Sequence, residues 1–427
     1  MIFSESIHQC RQCLSRSFAG LGVAVPEEQT QAIAQLIIQS MSGSWRSFHT
    51  PKHIFELAKG GDAIEVLAAL FHDTVYVQVD QCIADSISEY ISPYIYEDSQ
   101  EIFITNDLKL LEDPYFRVCA VTFGYQLGQA LPLLGGQNEF LSALLAVQVL
   151  RYILPLQVLT QVVACIEATI PFRSQEQDGI TCSDQLFVRL EKMNTLFHFS
   201  WSVRDMRDIV RRSVRLSNRD VENFSSEDPA VFLEVTWSLI PEANHQLKNF
   251  EIYSTKHYVS ALQRMERFMS SLSVEVIFKH AHGEPSPAEL SAMLMRAQKN
   301  LEIARLYLGL KLIPLALKEA FSLPDSRPLK NLDGFLPSYT PHGFPANSIE
   351  VTVIDLLKRR SGFDSEFDPS NSPLALYILE VAGLHQIRDL ISRAKSFLTG
   401  ELSAEDFLST LPGDIKNTMS DAITLLA

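Results

Sequence analysis

Four side chains near the N-terminus of this 427-residue chain have the types and spacing for metal or proton chemistry. They lie in WRSFHTPKHIFELAKGGDAIEVLAALFHD, residues 45–73, as His49 and His53, four apart, followed by the adjacent pair His72-Asp73. Residues 51–59 predict a helix with Pro51 in its first turn, where a missing N–H costs nothing. Gly60-Gly61 then turns the chain, and Asp62 is a fair N-cap for a second helix. In that helix Ala63, Val66, Leu67 and Leu70 form one apolar stripe, which buries it and leaves His72-Asp73 at its C-terminal end. Ionisable groups at the end of an apolar helix are costly unless they are paired or coordinate a metal.

Around these residues stand Arg46, Phe71, Tyr76 and, further on, Asn138-Glu139 with Ser142 and Ala143 in GGQNEFLSALLAV. In this order they resemble the HD superfamily of metal-dependent phosphohydrolases, and within it the predicted phosphohydrolase branch. That branch reads Arg-x-aromatic-His-x-x-x-His, then Phe-His-Asp-x-x-Tyr, then Asn-Glu-x-x-Ser-Ala. The resemblance implies an all-α, HD-type helical bundle that holds metal with a first histidine, the His-Asp pair and a distant aspartate. His53, His72 and Asp73 match the first three positions. For the fourth the choice is Asp220, in NRDVENF, where the wording is similar to the corresponding phrase of relatives. Asp205 and Asp208 compete for it, but their places in a basic amphipathic helix suit solvated ion pairs. Glu139 is a candidate ligand of a second ion bridged by Asp73, with a capping or supporting role as the alternative.

Two imidazoles and two carboxylates with open positions suit a divalent ion, one or two of Mn, Fe, Ni, Zn or Mg, better than Ca. Such an ion acidifies a bound water, so the expected reaction is hydrolysis of a phosphomonoester or phosphodiester by metal-bound hydroxide, with Asp73 taking part in catalysis. Cyclic-nucleotide phosphodiesterases share the His-x-x-x-His spacing, which makes His49 the expected proton donor to the leaving oxygen. Arg46 is expected to hold the phosphate oxygens that are not transferred, with Arg173 and Arg219 as alternatives. The resemblance further implies a small phosphorylated, nucleotide-like substrate.

Composition sets the outer bounds. Hydrophobic residues make up 46% and charged residues 20%, as in a globular protein with a sizeable core. A net charge of −15 argues against general nucleic-acid binding, which needs a cationic face. The N-terminus lacks the pattern of a secretory signal, and the longest apolar stretch, 140–166, is interrupted by Gln148, Arg151, Pro155, Gln157 and Gln161. A cytoplasmic protein that does not enter the membrane is expected. Six cysteines do not make a disulfide scaffold, and Cys10 and Cys13 form a lone CxxC read as reduced cysteines on a helix.

Helical periodicity runs through most of the chain. Two helices are expected in 1–44, one over 80–95, two apolar ones over 140–169 broken near Pro155, and a basic one carrying Arg204, Arg207, Arg211, Arg212 and Arg215. Its arginine face reads as solvated. IFIT at 102–105 reads as a short strand or a helix start. Residues 256–280, 287–321 and 349–427 are helical, separated by a Pro- and Gly-rich loop over 322–348. The division expected is an HD-type domain over 1–250, with an insertion over about 78–136, and a C-terminal helical region over 251–427 packed on it. The insertion or the C-terminal region offers a surface for a protein partner or a second copy. Two rival functions use the same fold: a binding or scaffold protein without turnover, and an HD-type di-iron oxygenase, for which only His198 lies between Asp73 and Asp220.

Overall fold

In a computed structural model the chain is all-α apart from one two-stranded sheet, and residues 3–173, 179–248, 255–321, 348–358 and 372–426 are described. They fall into two compact units. The first comprises 1–222 with 273–294, and the second 223–272 with 295–427.

The first unit opens with α1 (Phe3–Gly20) and α2 (Glu27–Ser40), the two helices expected in 1–44, which pack on each other. Then come α3 (Pro51–Ala58) and α4 (Ala63–Phe71). Pro51 occupies the first turn of α3, as its fixed φ favours. Asp62 caps α4 in a capping box: its carboxylate accepts from the N–H groups of Ile64 and Glu65, both at 3.0 Å. Glu65 returns the bond to the Asp62 N–H at 2.9 Å.

Where one helix was expected over 80–95, the structure has α5 (Val77–Asp80), a break at Gln81 with φ of 62°, and α6 (Asp85–Ile91). The left-handed residue ends α5 and re-aims the chain. IFIT contributes a strand: β1 (Ile95–Asp98) pairs antiparallel with β2 (Glu101–Ile104), with Ile95 opposite Ile104. The segment over 78–136 is not an appendage. It places Ile87, Ile91, Ile104 and Phe116, all nearly inaccessible, in the same core as α1, α4 and the next helices.

Those helices are α7 (Pro114–Phe123), α8 (Gln137–Leu150), α9 (Leu156–Ala168), α10 (Cys182–Phe197) and α11 (Val203–Asp220). The expected break near Pro155 separates α8 from α9. The latter is central, packing against α4, α7, α8 and α11. Leu67, Leu141, Leu145, Leu159, Val162 and Ile166 are fully enclosed where these helices meet. Each such side chain contributes about 1.5–3 kcal/mol by leaving water. Residues 273–294 complete the unit with a 3-10 turn at Val274–Val276 and the start of α14.

The second unit holds α12 (Pro229–Glu242), α13 (Thr255–Ser271), most of α14 (Pro287–Ala320), α15 (Ile349–Lys358), α16 (Pro373–Leu398), α17 (Ala404–Ser409) and α18 (Gly413–Leu426). Gly309 lets α14 approach α16 closely: a Cβ there would lie 2.7 Å from Ile391 Cγ2. Most of the proline-rich loop expected over 322–348 lies outside the described residues.

Candidate metal centre

His53 sits on the first turn of α3, where the main chain is fixed by its N–H bonding to the Thr50 carbonyl at 2.9 Å. His72 terminates α4, and its N–H closes the helix on Ala68 O at 2.9 Å. The His72 ring is oriented by the same turn: Nδ1 donates to Ala69 O at 2.9 Å, which in the neutral ring puts the lone pair on Nε2. That Nε2 lies 2.8 Å from Asp73 Oδ2, and His53 Nε2 lies 3.4 Å from the same oxygen.

Asp220 closes the group from the last residue of α11. Its Oδ1 lies 3.1 Å from His53 Nε2 and 3.5 Å from His72 Nε2. Residues 53, 72, 73 and 220, distant in sequence, therefore converge. The tightest grouping is His53, His72 and Asp73, whose ligand atoms all lie within 4.8 Å of one another. Asp220 joins it through the two imidazoles.

These atoms approach one another within ion-pair distance. His53 Nε2, His72 Nε2 and Asp73 Oδ2 are all buried with no hydrogen-bond partner. Buried polar atoms without partners are costly, and lone pairs aimed at a shared centre are what a cation requires. Two nitrogens and two carboxylates fit a borderline divalent ion by donor chemistry as well. The group thus fits a metal. Among the described residues His53, His72 and Asp73 are the set of three or more His, Cys, Asp and Glu near enough to hold one.

Charge at the site follows from the same packing. Burial alone would lower the pKa of His53, but the carboxylates of Asp220 and Asp73 outweigh it and raise it to about 9. For His72 the balance has the same direction: burial opposes protonation, and Asp73 and Asp220 win. Burial would push Asp73 and Asp220 up, yet the imidazoles hold both well below the usual carboxylate range.

Glu139, on the first turn of α8, responds to this centre without a hydrogen bond to its ligands. Its pKa is pushed up to about 7, chiefly by burial, with Asp73 and Asp220 adding to the rise and His72 opposing it. The turn before it needs a glycine: Gly136 has φ of 114°, and a Cβ there would lie 2.6 Å from Ile170 Cδ1. The neighbours of Glu139 do mechanical work. Asn138 Oδ1 accepts from Val77 N at 3.1 Å, and Ser142 Oγ accepts from Val75 N at 3.0 Å. The Asn-Glu-x-x-Ser run therefore grips the segment just after His72-Asp73.

His49 lies one rank behind the ligands. Its ring is 5.8 Å from that of His53 and 4.4 Å from that of Tyr76, and Phe48 packs 4.7 Å from both His49 and His53.

Arg46, expected to hold phosphate oxygens, turns its guanidinium toward protein groups. The Arg46 side chain is fully enclosed, and its guanidinium is already engaged. It donates to both oxygens of Asp80, at 2.6 Å at the shortest, and to the main-chain carbonyls of Asp73 at 2.6 Å and His49 at 3.3 Å. It is a clamp beneath the site. Arg173 likewise donates to Glu167 Oε1 at 2.6 Å, whereas Arg219 comes within 3.5 Å of Glu65 Oε1 but its Nε and Nη2 are buried without a hydrogen-bond partner. Asp205 belongs to the capping box of α11 with Ser202, and Asp208 pairs with Arg211 at 2.9 Å.

Sequence reasoning missed Glu65, almost inaccessible on α4, and Lys279. The spacing of the arginines was a signal for the first. Arg212 meets Asp62 at 2.6 Å, and Arg215 and Arg219 meet Glu65 at 3.4 and 3.5 Å. One flank of the basic helix is thus not solvated; it sets the register of α11 on α4 so that Asp220 arrives beside His72. Lys279 had no signal, because its role exists only once α9 and α11 are packed. All six cysteines are free, and burial raises the thiols of Cys10 and Cys13, which disfavours the thiolate that zinc needs. Among the described residues no helix is long and apolar enough to cross a membrane.

No family model, no curated protein and no solved structure matches this chain.

Proposed function

We propose that this chain is a metal-dependent phosphohydrolase that cleaves a phosphomonoester or phosphodiester bond of a small, nucleotide-like molecule. The observation that carries the reading is the meeting of His53, His72, Asp73 and Asp220 at one buried point, with imidazole and carboxylate atoms unpartnered there. A divalent cation held by these four would supply Lewis acidity and lower the pKa of a water toward neutrality.

The chain's own residues have definite tasks in this reading. Asp73 and Asp220 balance the charge of the ion, and the Ala69 carbonyl keeps His72 Nε2 free to ligate. Glu139, on the first turn of α8 with its pKa pushed up to about 7 by burial, is the residue to accept a proton from the attacking water or to ligate a second ion. His49, beside Tyr76 and a ring's width from His53, can deliver a proton to the leaving oxygen. Arg46 holds the Asp73 main chain in place through its carbonyl.

The test is a hydrolysis screen of nucleotides and generic phosphodiesters with Mn, Ni, Mg and Fe, run with His72→Ala and Asp73→Ala alongside. Metal-dependent hydrolysis by the wild type and a loss of at least a hundredfold in both variants is expected. Oxygen uptake with iron would select the oxygenase reading instead, and metal binding with no turnover the scaffold reading. Hydrolysis that survives in both variants would remove the site assignment.

A further inference from the structure

The metal reading accounts for four ligands but not for what holds the last turn of α11, which carries Asp220. The last turn of a helix has no following turn to bond its carbonyls, so a ligand there needs outside support. That support comes from a segment distant in sequence, residues 273–294, which belongs to the first unit although 223–272 intervene.

Lys279 makes every contact its ammonium allows. Nζ donates to Ser217 Oγ at 2.8 Å, to Ile170 O at 2.9 Å and to Ala168 O. Two of these acceptors are carbonyls at the C-terminal end of α9, where the helix dipole favours a cation. The third, Ser217, is one turn before Asp220 on the same face of α11. The main chain of Lys279 completes the grip through Asn218. Its N–H donates to Asn218 Oδ1 at 2.8 Å, and its carbonyl accepts from Asn218 Nδ2 at 2.8 Å. Ser217 and Asn218 are both buried, so these bonds form away from competing water. Five hydrogen bonds through one residue thus tie the end of α9 to the final turn of α11.

We propose that Lys279 and Asn218 are positioning residues for the metal centre, clamping the last turn of α11 so that the Asp220 carboxylate meets His53 and His72. This rests on the reading of those residues as metal ligands. Neither residue touches the ion; both act through the backbone that carries Asp220. The geometry also makes the centre depend on chain that follows the intervening part of the second unit.

The experiment loads Co(II) into the full chain and compares wild type, Lys279→Met, Asn218→Ala and Asp220→Asn by visible spectrum and titrated affinity. Supporting contacts of this kind typically alter metal affinity by about 10–100-fold. The expected result is an affinity at least tenfold weaker in Lys279→Met and Asn218→Ala, with spectra displaced from wild type toward Asp220→Asn. A merely structural lysine would lower the melting temperature and leave the spectrum of the bound ion unchanged, and that outcome overturns the proposal. If Lys279→Met does not fold, Asn218→Ala decides alone, since it removes two hydrogen bonds from the same turn. A wild type that binds no Co(II) fails the metal reading itself, which separates that failure from this one.

Discussion

At the scale of single residues, a proton and the proposed metal would compete for the same atoms. Without an ion, His53 keeps its proton up to about pH 9 because Asp220 and Asp73 outweigh the cost of its burial. The folded state then binds more protons than the unfolded state between the ordinary histidine value near 6.5 and about 9. Stability from this ionised group is therefore fully present below pH 6.5 and is lost as pH rises through 9. Chelator-treated wild type should lose melting temperature across that interval relative to His53→Gln. Metal affinity should rise across the same interval, because ligation must displace the proton. A melting curve of the metal-free protein that is flat between pH 6.5 and 9 would contradict this account of His53.

At the scale of elements, two helices bring candidate ligands through their ends, His72 from α4 and Asp220 from α11. α4 brings His72 in its terminal position because a capping box at Asp62 determines where the helix starts, and its nine residues determine where it stops. α11 brings Asp220 because arginines 212, 215 and 219 lock it onto Asp62 and Glu65. Asp62 serves both ends of this arrangement. Replacing it with Ala should cost about 1 kcal/mol of stability, the usual cost of losing a cap. Metal affinity should fall far less than in His72→Ala, since no ligand is lost and Glu65 still holds Arg215 and Arg219. Denaturant unfolding beside a metal titration would read both effects; an affinity loss as large as that of His72→Ala would mean the register rests on Asp62 alone.

At the scale of the whole molecule, a ligand bound only by the folded state stabilises it by mass action. An ion at a hundred times its dissociation constant adds about 2.7 kcal/mol. The unfolding transition that reports α3, α4 and α11 should therefore move to higher temperature with Mn or Ni and return on adding chelator. In His72→Ala it should not move. Calorimetry with and without metal tests this, and an equal shift in the variant would place the ion elsewhere.

Local chemistry made much of the molecule legible in the residues themselves. The two helices of 1–44, Pro51 and Asp62 at their helix starts, the break at Pro155 and the all-α class follow from periodicity and caps, which act over a few residues. The grouping of His53 with His72-Asp73 came instead from the resemblance in motif order, since spacing alone does not choose between His49 and His53. What the sequence alone could not determine depends on packing between distant segments. Arg46 looked like a phosphate ligand because an arginine's type does not reveal whether its guanidinium is already taken; only the folded chain brings Asp80 and the Asp73 carbonyl to it. The strand at 101–104 needed its partner at 95–98 to exist, because a ladder is a property of two segments. Asp220 meets the histidines, and Lys279 reaches the ends of α9 and α11, only through the arginine register and the buried faces of those helices. Helical period and capping are local and readable, whereas the fate of a charge is settled by whichever distant group folding sets beside it.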